Sequence, residues 1–148
     1  MAKEKLTKEQ TFTELSDYIQ EFFIERLNNF NIPIDIKFYY QANKKQKTLV
    51  KITKIPDQYS VILNKDILVQ VNEDYFDSFN SEQDINTILF DQSIDLIDYD
   101  LEKGTFKVNT PKFKASGSIV DKYSYEKVAR ALEVESLYEK QKNDKDDM

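Results

Sequence analysis

Residues 81–100 read SEQDINTILFDQSIDLIDYD, and at their centre Leu89-Phe90-Asp91-Gln92-Ser93-Ile94-Asp95 sets aspartates at i and i+4 inside an apolar run. Ser81, with Asp84 three residues on, has the spacing of a helix start. At 100° per residue, Asp84, Asp91 and Asp95 fall on one narrow arc, and Asp98 joins them if the helix runs that far. Ile85, Ile88, Leu89 and Leu96 occupy one flank of that arc, and Phe90, Ile94 and Ile97 the other. An ordinary surface helix has one apolar stripe and a broad polar face. Two apolar flanks around an acidic stripe predict a helix packed on two sides, with its carboxylates facing a groove. Aspartates at this spacing repel one another. Hydration, a lysine from a neighbouring element, or a hard cation such as Mg²⁺ or Ca²⁺ would offset the repulsion, but no EF-hand loop accompanies the stripe.

Working outward, the chain reads helix, strands, helix, hairpin, helix. Phe12, Leu15, Ile19, Phe22, Phe23 and Leu27 recur at helical intervals behind a Thr11/Glu14 capping pair, which predicts one amphipathic helix over 11–29. Pro33 and the asparagines before it end that helix. Alternation in residues 34–40 (Ile34, Ile36 and Phe38 on one face) and in 48–55 predicts two strands joined as a hairpin by the polar loop QANKKQK. After Pro56 come two more apolar runs, YSVILN and DILVQVN; the second, 66–72, reads as a buried strand. Asn72 caps a short helix in NEDYFDSF. The segment 96–109 reads as a hairpin turning at Glu102-Lys103-Gly104 and closed by Pro111. Ser124 opens a last helix to about 140, with Val128, Leu132 and Leu137 as core contacts. Val134, Leu137 and Tyr138 beyond that stripe either seat a partner or rest on the first helix.

This order predicts the α+β class, with a small mixed or antiparallel sheet. We expect one domain over 11–140, between a flexible stretch 1–10 and a charged tail 141–148. The chain has 148 residues, 40% of them hydrophobic, enough for one core. Its net charge of −6 opposes nucleic acid and anionic membranes over the molecule as a whole. There is no cysteine or histidine, and glycine occurs only at 104 and 117. Disulfides, thiolate sites, histidine-ligated zinc, serine triads with a histidine base and glycine-rich phosphate loops are therefore excluded. No signal core or membrane-length apolar run is present, so the expectation is a soluble cytoplasmic protein with no cofactor and no membrane partner.

The run DILVQVNEDYFDSFNSEQDINTILFDQSIDLI resembles the central part of the phage metallopeptidases, a minimal zincin-like family. There an apolar strand leads to a short aromatic helix, and a capped helix then carries H-E-x-x-H. The segment DYDLEKGTFKVNTPKFKASGSIVDKYSYEKV resembles that family's hairpin, its Pro-containing connection and the segment before its next helix. The resemblance spans about residues 34–130. It implies a zincin-like central helix, with Asp91 and Asp95 where the two histidines would stand and Gln92 where the general base would stand. All three positions differ from the motif. An amide accepts no proton near neutral pH, and no zinc-bound water is activated without the histidines. The resemblance thus implies a phage or mobile-element protein that kept the fold, lost the peptidase chemistry and binds a protein partner.

Two other chemistries have support in the residues. Carboxylate pairs, Asp91 with Asp95 or Asp98 with Asp100, suit acid–base hydrolysis, but a chain with 27 acidic residues produces such pairs by chance. Lysines interleaved with rings suit single-stranded nucleic acid. Lys44, Lys45, Lys47, Lys51 and Lys54 lie near Phe38, Tyr39 and Tyr40, and Lys103, Lys107, Lys112 and Lys114 lie near Phe106 and Phe113. The plainer reading is strand alternation that exposes lysine and buries phenylalanine.

Overall fold

The computed structural model describes residues 6–30, 32, 35–79, 84–109 and 125–146, with side chains in the last helix described from 126 to 137. Its centre is the strand β4, Ile67–Val71, where Ile67, Val69 and Val71 are fully buried on one face. A strand this apolar is stable only with neighbours on both edges. It pairs in parallel with β2 (Phe38–Asn43) and antiparallel with β3 (Val50–Lys54). The short β1 (Phe12–Glu14) adds antiparallel to β2, so the mixed sheet runs β1-β2-β4-β3. The expected hairpin of 34–40 with 48–55 is therefore not formed. β2 and β3 flank β4, roughly 10 Å apart, and QANKKQK supplies the end of β2 before it crosses over.

The expected N-terminal helix is also interrupted. Thr7 and Gln10 form the capping box, on a four-residue α1 (Lys8–Thr11). Phe12 and Thr13, ring-bearing and β-branched, then pair with Ala42 and Asn43 as strand. The amphipathic helix proper, α2, runs Asp17–Asn28 and buries Ile19 and Phe23. Leu15, Ile19 and Phe23 keep a four-residue spacing across the break, so helical periodicity alone did not expose it. Phe12, expected on the helix's apolar face, is exposed.

YSVILN forms the helix α3 (Asp57–Leu63), none of whose residues is buried. α4 (Glu73–Phe79) starts where expected, with the Asn72 side chain accepting from the Tyr75 N–H at 3.2 Å. The central helix α5 runs Ile85–Ile94. Ser81 lies outside the described residues; Asp84 stands at the N-cap with φ 76° and makes no side-chain cap bond. Asp98 is beyond the helix, in β5 (Ile97–Asp100), which pairs with β6 (Thr105–Val108) as expected. Gly104, φ 64°, supplies the left-handed turn conformation that glycine tolerates. The last helix, α6, spans Tyr125–Asp146. Pro33, Ile34, Pro111 and Ser124 lie outside the described residues.

Helices α2 and α5 share the core with the buried face of the sheet, and α6 packs on α5, with Val128, Ala131 and Val134 in the same core. A ring cluster joins the layers: Phe22 meets Phe76 and Phe90 at 5.2 and 5.1 Å, and Phe23 meets Phe38 and Tyr40 at 5.6 Å. Edge-to-face contacts of this kind add to the area that the rings bury. Among the described residues, no helix is long and apolar enough to cross a membrane.

Candidate functional site: the cleft between β3 and α5

The acidic stripe does not face a groove. Asp91 is 0% exposed, and its two oxygens accept from Nε and Nη2 of Arg26 on α2, at 2.8 and 2.7 Å. A bidentate pair of this length is a strong charge-assisted contact. It is an ion pair with arginine, where the sequence suggested hydration, lysine or a metal. Arg26 and Arg130 are the chain's only arginines. An arginine among Phe22, Phe23 and Leu27 was the available signal for a buried partner, and it went unused. Asp84 meets Lys127 of α6 at 3.4 Å, and half-buried Asp95 forms the C-cap of α5. Asp91 and Asp84 thus serve different contacts, one with α2 and one with α6. Among the described residues, no group of three or more metal-capable side chains occurs. The donor set also misfits zinc: Asp91 is engaged by a guanidinium, and Gln92 offers an amide.

The groove lies on another face of the helix. Leu89, Gln92, Ser93 and Leu96 line a cleft of about 600 Å³ whose far wall is Val50, Lys51 and Ile52 of β3. At 100° per residue the centre of that face is about 150° from Asp91, so one helix holds the buried pair on one side and the cleft on the other. Asn43, Gln46, Gln70 and Asn109 add amides to the lining, and Leu132 and Glu135 come from α6.

The rim is fixed by side chain–backbone bonds. Glu135 accepts from the Leu49 N–H at 2.8 Å, tying α6 to the start of β3. Gln46, 8% exposed, donates to the Gln70 carbonyl at 2.9 Å, and Asn72 donates to the Gln46 carbonyl at 2.8 Å. β3 is the last strand of its sheet, and in its register with β4 the backbone groups of Val50, Ile52 and Lys54 point away from β4. The site therefore combines a sheet edge, an apolar floor and a row of amides. Amides donate and accept at once, as a peptide backbone does.

The lysine–aromatic candidates are divided. Tyr39 is exposed on the outer sheet face, whereas Tyr40 points into the ring cluster, as strand alternation requires. Burial pushes the Tyr40 phenol up to about 12. The Tyr18 phenol, which donates to Asp77 at 2.7 Å, is likewise pushed up to about 12, chiefly by that bond. Lys44 and Lys45 are exposed in the turn after β2, and Lys47 and Lys51 reach the cleft rim. Lys54 sits over the Phe106 ring at 5.0 Å. Lys103 is exposed in the hairpin turn, among Asp100 and Glu102, and Lys107 lies 3.8 Å from Asp98. Lys112, Phe113 and Lys114 lie outside the described residues. The first lysine group runs along β3 from the connection before it, the hairpin turn lies beyond the strand's end, and among the described residues the two groups meet where Lys54 covers the Phe106 ring. Val134 is buried against α5, Leu137 is half exposed, and the Tyr138 side chain lies outside the described set.

No family model, curated protein or solved structure matches the chain.

Proposed function

We propose that this is a non-enzymatic binding protein whose β3–α5 cleft receives an extended segment of a protein partner. The observation that carries the reading is the cleft itself: the edge of β3 that has no ladder partner, with β6 beside its Lys54 end, facing a helix that presents Leu89, Gln92, Ser93 and Leu96. An extended segment laid along β3 would pair with the outward groups of Val50 and Ile52 and set alternate side chains on the apolar floor. The order of β4, the aromatic α4, α5 and the hairpin supports the resemblance to minimal zincin-like phage metallopeptidases, with Gln92 at the general-base position and facing the cleft. On this reading the protein is a phage or mobile-element scaffold that retains the groove and no peptidase chemistry.

The test is selection of linear peptides against the purified protein, followed by titration of the best binder into Ser93→Trp, which fills the cleft. Binding lost in that variant, with backbone shifts at Val50 and Ile52 in the parent, is the expected outcome. Peptides that ignore the variant, or zinc-dependent cleavage of casein, would contradict the reading.

A second reading has one observation in its favour: Lys44, Lys45, Lys47 and Lys51 gather at one end of the sheet, three of the four exposed in the β2–β3 connection. Single-stranded nucleic acid bound there would lose affinity steeply with salt and on Lys44→Glu with Lys47→Glu. Absence of binding at low salt removes this reading.

A further inference from the structure

Two lysines stand at the rim of the β3–α5 cleft. Lys47 and Lys51 are exposed, and neither meets a carboxylate among the described residues. Lys54, further along β3, is taken up by the Phe106 ring. Alternation along β3 fixes which way these groups face. Val50 and Ile52 lie on the buried face, each 8% exposed, whereas Lys51 and Thr53 lie on the other face in solvent.

A strand added to β3 places each of its side chains on the same face as the residue opposite. Residues opposite Val50 and Ile52 therefore enter the cleft, against Leu89 and Leu96 of α5 and Leu132 of α6. The residue opposite Lys51 comes out on the solvent face, about 5 Å from it between Cβ atoms, where unlike charges attract and like charges repel. Glu135 is the single acid in the lining; it stands on α6 and accepts from the Leu49 N–H. A carboxylate entering the cleft would meet that charge, whereas one on the solvent face would meet Lys51.

We propose that the segment received by the cleft is an acidic strand, in which apolar residues facing α5 alternate with carboxylates facing Lys51 and Lys47. This rests on the reading of the cleft as a site for an extended segment, and it adds the chemistry of the partner. The same lysines fit nucleic acid less well. Tyr40 lies in the core and Tyr39 is two strands away on β2, so no exposed ring stands beside Lys51 on its own strand to stack a base. The net charge of −6 opposes a long polyanion. One or two carboxylates in an alternating segment feel chiefly the lysines within a Debye length of about 10 Å.

Fluorescence anisotropy of the full chain with end-capped, labelled peptides tests this. One peptide alternates valine with aspartate; its two copies carry asparagine or lysine in place of aspartate. The aspartate peptide should bind tightest and the lysine peptide weakest, about tenfold or more apart at low salt, with the gap closing as salt rises. Lys51→Glu should reverse that order, and Lys47→Glu should narrow it. Equal affinity for the aspartate and asparagine peptides, lost in Ser93→Trp, overturns the acidic preference and leaves the cleft reading standing. So does an order that Lys51→Glu does not change. Failure of all three peptides to bind, or binding indifferent to Ser93→Trp, overturns the cleft reading and this inference with it. A single-stranded oligonucleotide that displaces the aspartate peptide, and whose own binding ignores Ser93→Trp, assigns the lysines to phosphate and overturns the inference as well.

Discussion

Helices α5 and α3 are both apolar at their centres, TILF and SVIL, yet they sit at opposite extremes of the molecule. Every apolar residue of α5 is buried, and it even encloses a carboxylate, whereas α3 buries nothing. Connectivity separates them, not composition. α5 follows α4 and is met by α2, α6 and β3, so every side of it but the Gln92–Ser93 face, which lines the cleft, finds partners. α3 links β3 to β4 at the end of the sheet, a place that offers a helix one side only. Apolar content states how much surface seeks cover; topology decides whether the same chain provides it.

The largest break of this contrast is at the buried pair. Arg26→Ala leaves Asp91 enclosed without its cation and should cost about 3–5 kcal/mol in urea unfolding. Arg26→Met with Asp91→Leu should recover most of that, since apolar groups of similar size need no pairing. Equal destabilisation by the single and the double change would refute a coupled pair.

Next comes a matched truncation in the two helices. Phe90→Ala, at the junction of the ring cluster, should lose about 3–5 kcal/mol. Ile62→Ala should stay within about 0.5 kcal/mol. Comparable losses would mean that α3 is covered by the rest of the chain.

The smallest effect is alkaline. Tyr40 has its folded pKa raised to about 12, against an ordinary value of about 10. Its protonated form therefore favours the fold below about pH 10, and that contribution is lost as pH rises through the folded value. Absorbance titration should show late-ionising phenols, and Tyr40→Phe should remove one of them. A single tyrosine transition near pH 10 would contradict the burial of Tyr40.

Much of the fold was legible because it is local. The Asn72 cap, the alternation of Ile67, Val69 and Val71, and the turn at Gly104 are each set by a few adjacent residues. The rest depends on contacts distant in sequence. Nothing within 34–55 states that β4 will insert between β2 and β3; that follows from β4 being the most apolar strand. The break at Phe12–Glu14 was hidden because Leu15, Ile19 and Phe23 keep helical spacing, while the pairing that decides it lies at Gln41–Asn43. For the site, periodicity placed the carboxylates on one arc of α5, but which arc faces the cleft is fixed by Arg26, 65 residues away. Periodicity therefore pointed to a helix that does line a cleft, and set the cleft on the wrong face of it.

That assignment of faces is the claim on which the cleft and its occupant rest, and a chain without cysteine lends itself to a direct check. Single cysteines at Gln92, Ser93 and Asp91, the last in an Arg26→Met background that removes the stranded cation, can be timed against a thiol reagent under native conditions. The thiols at 92 and 93 should react in the folded protein, and the one at 91 should wait for unfolding. Rapid native reaction at 91, with protection at 92 and 93, would turn the helix over and contradict that assignment.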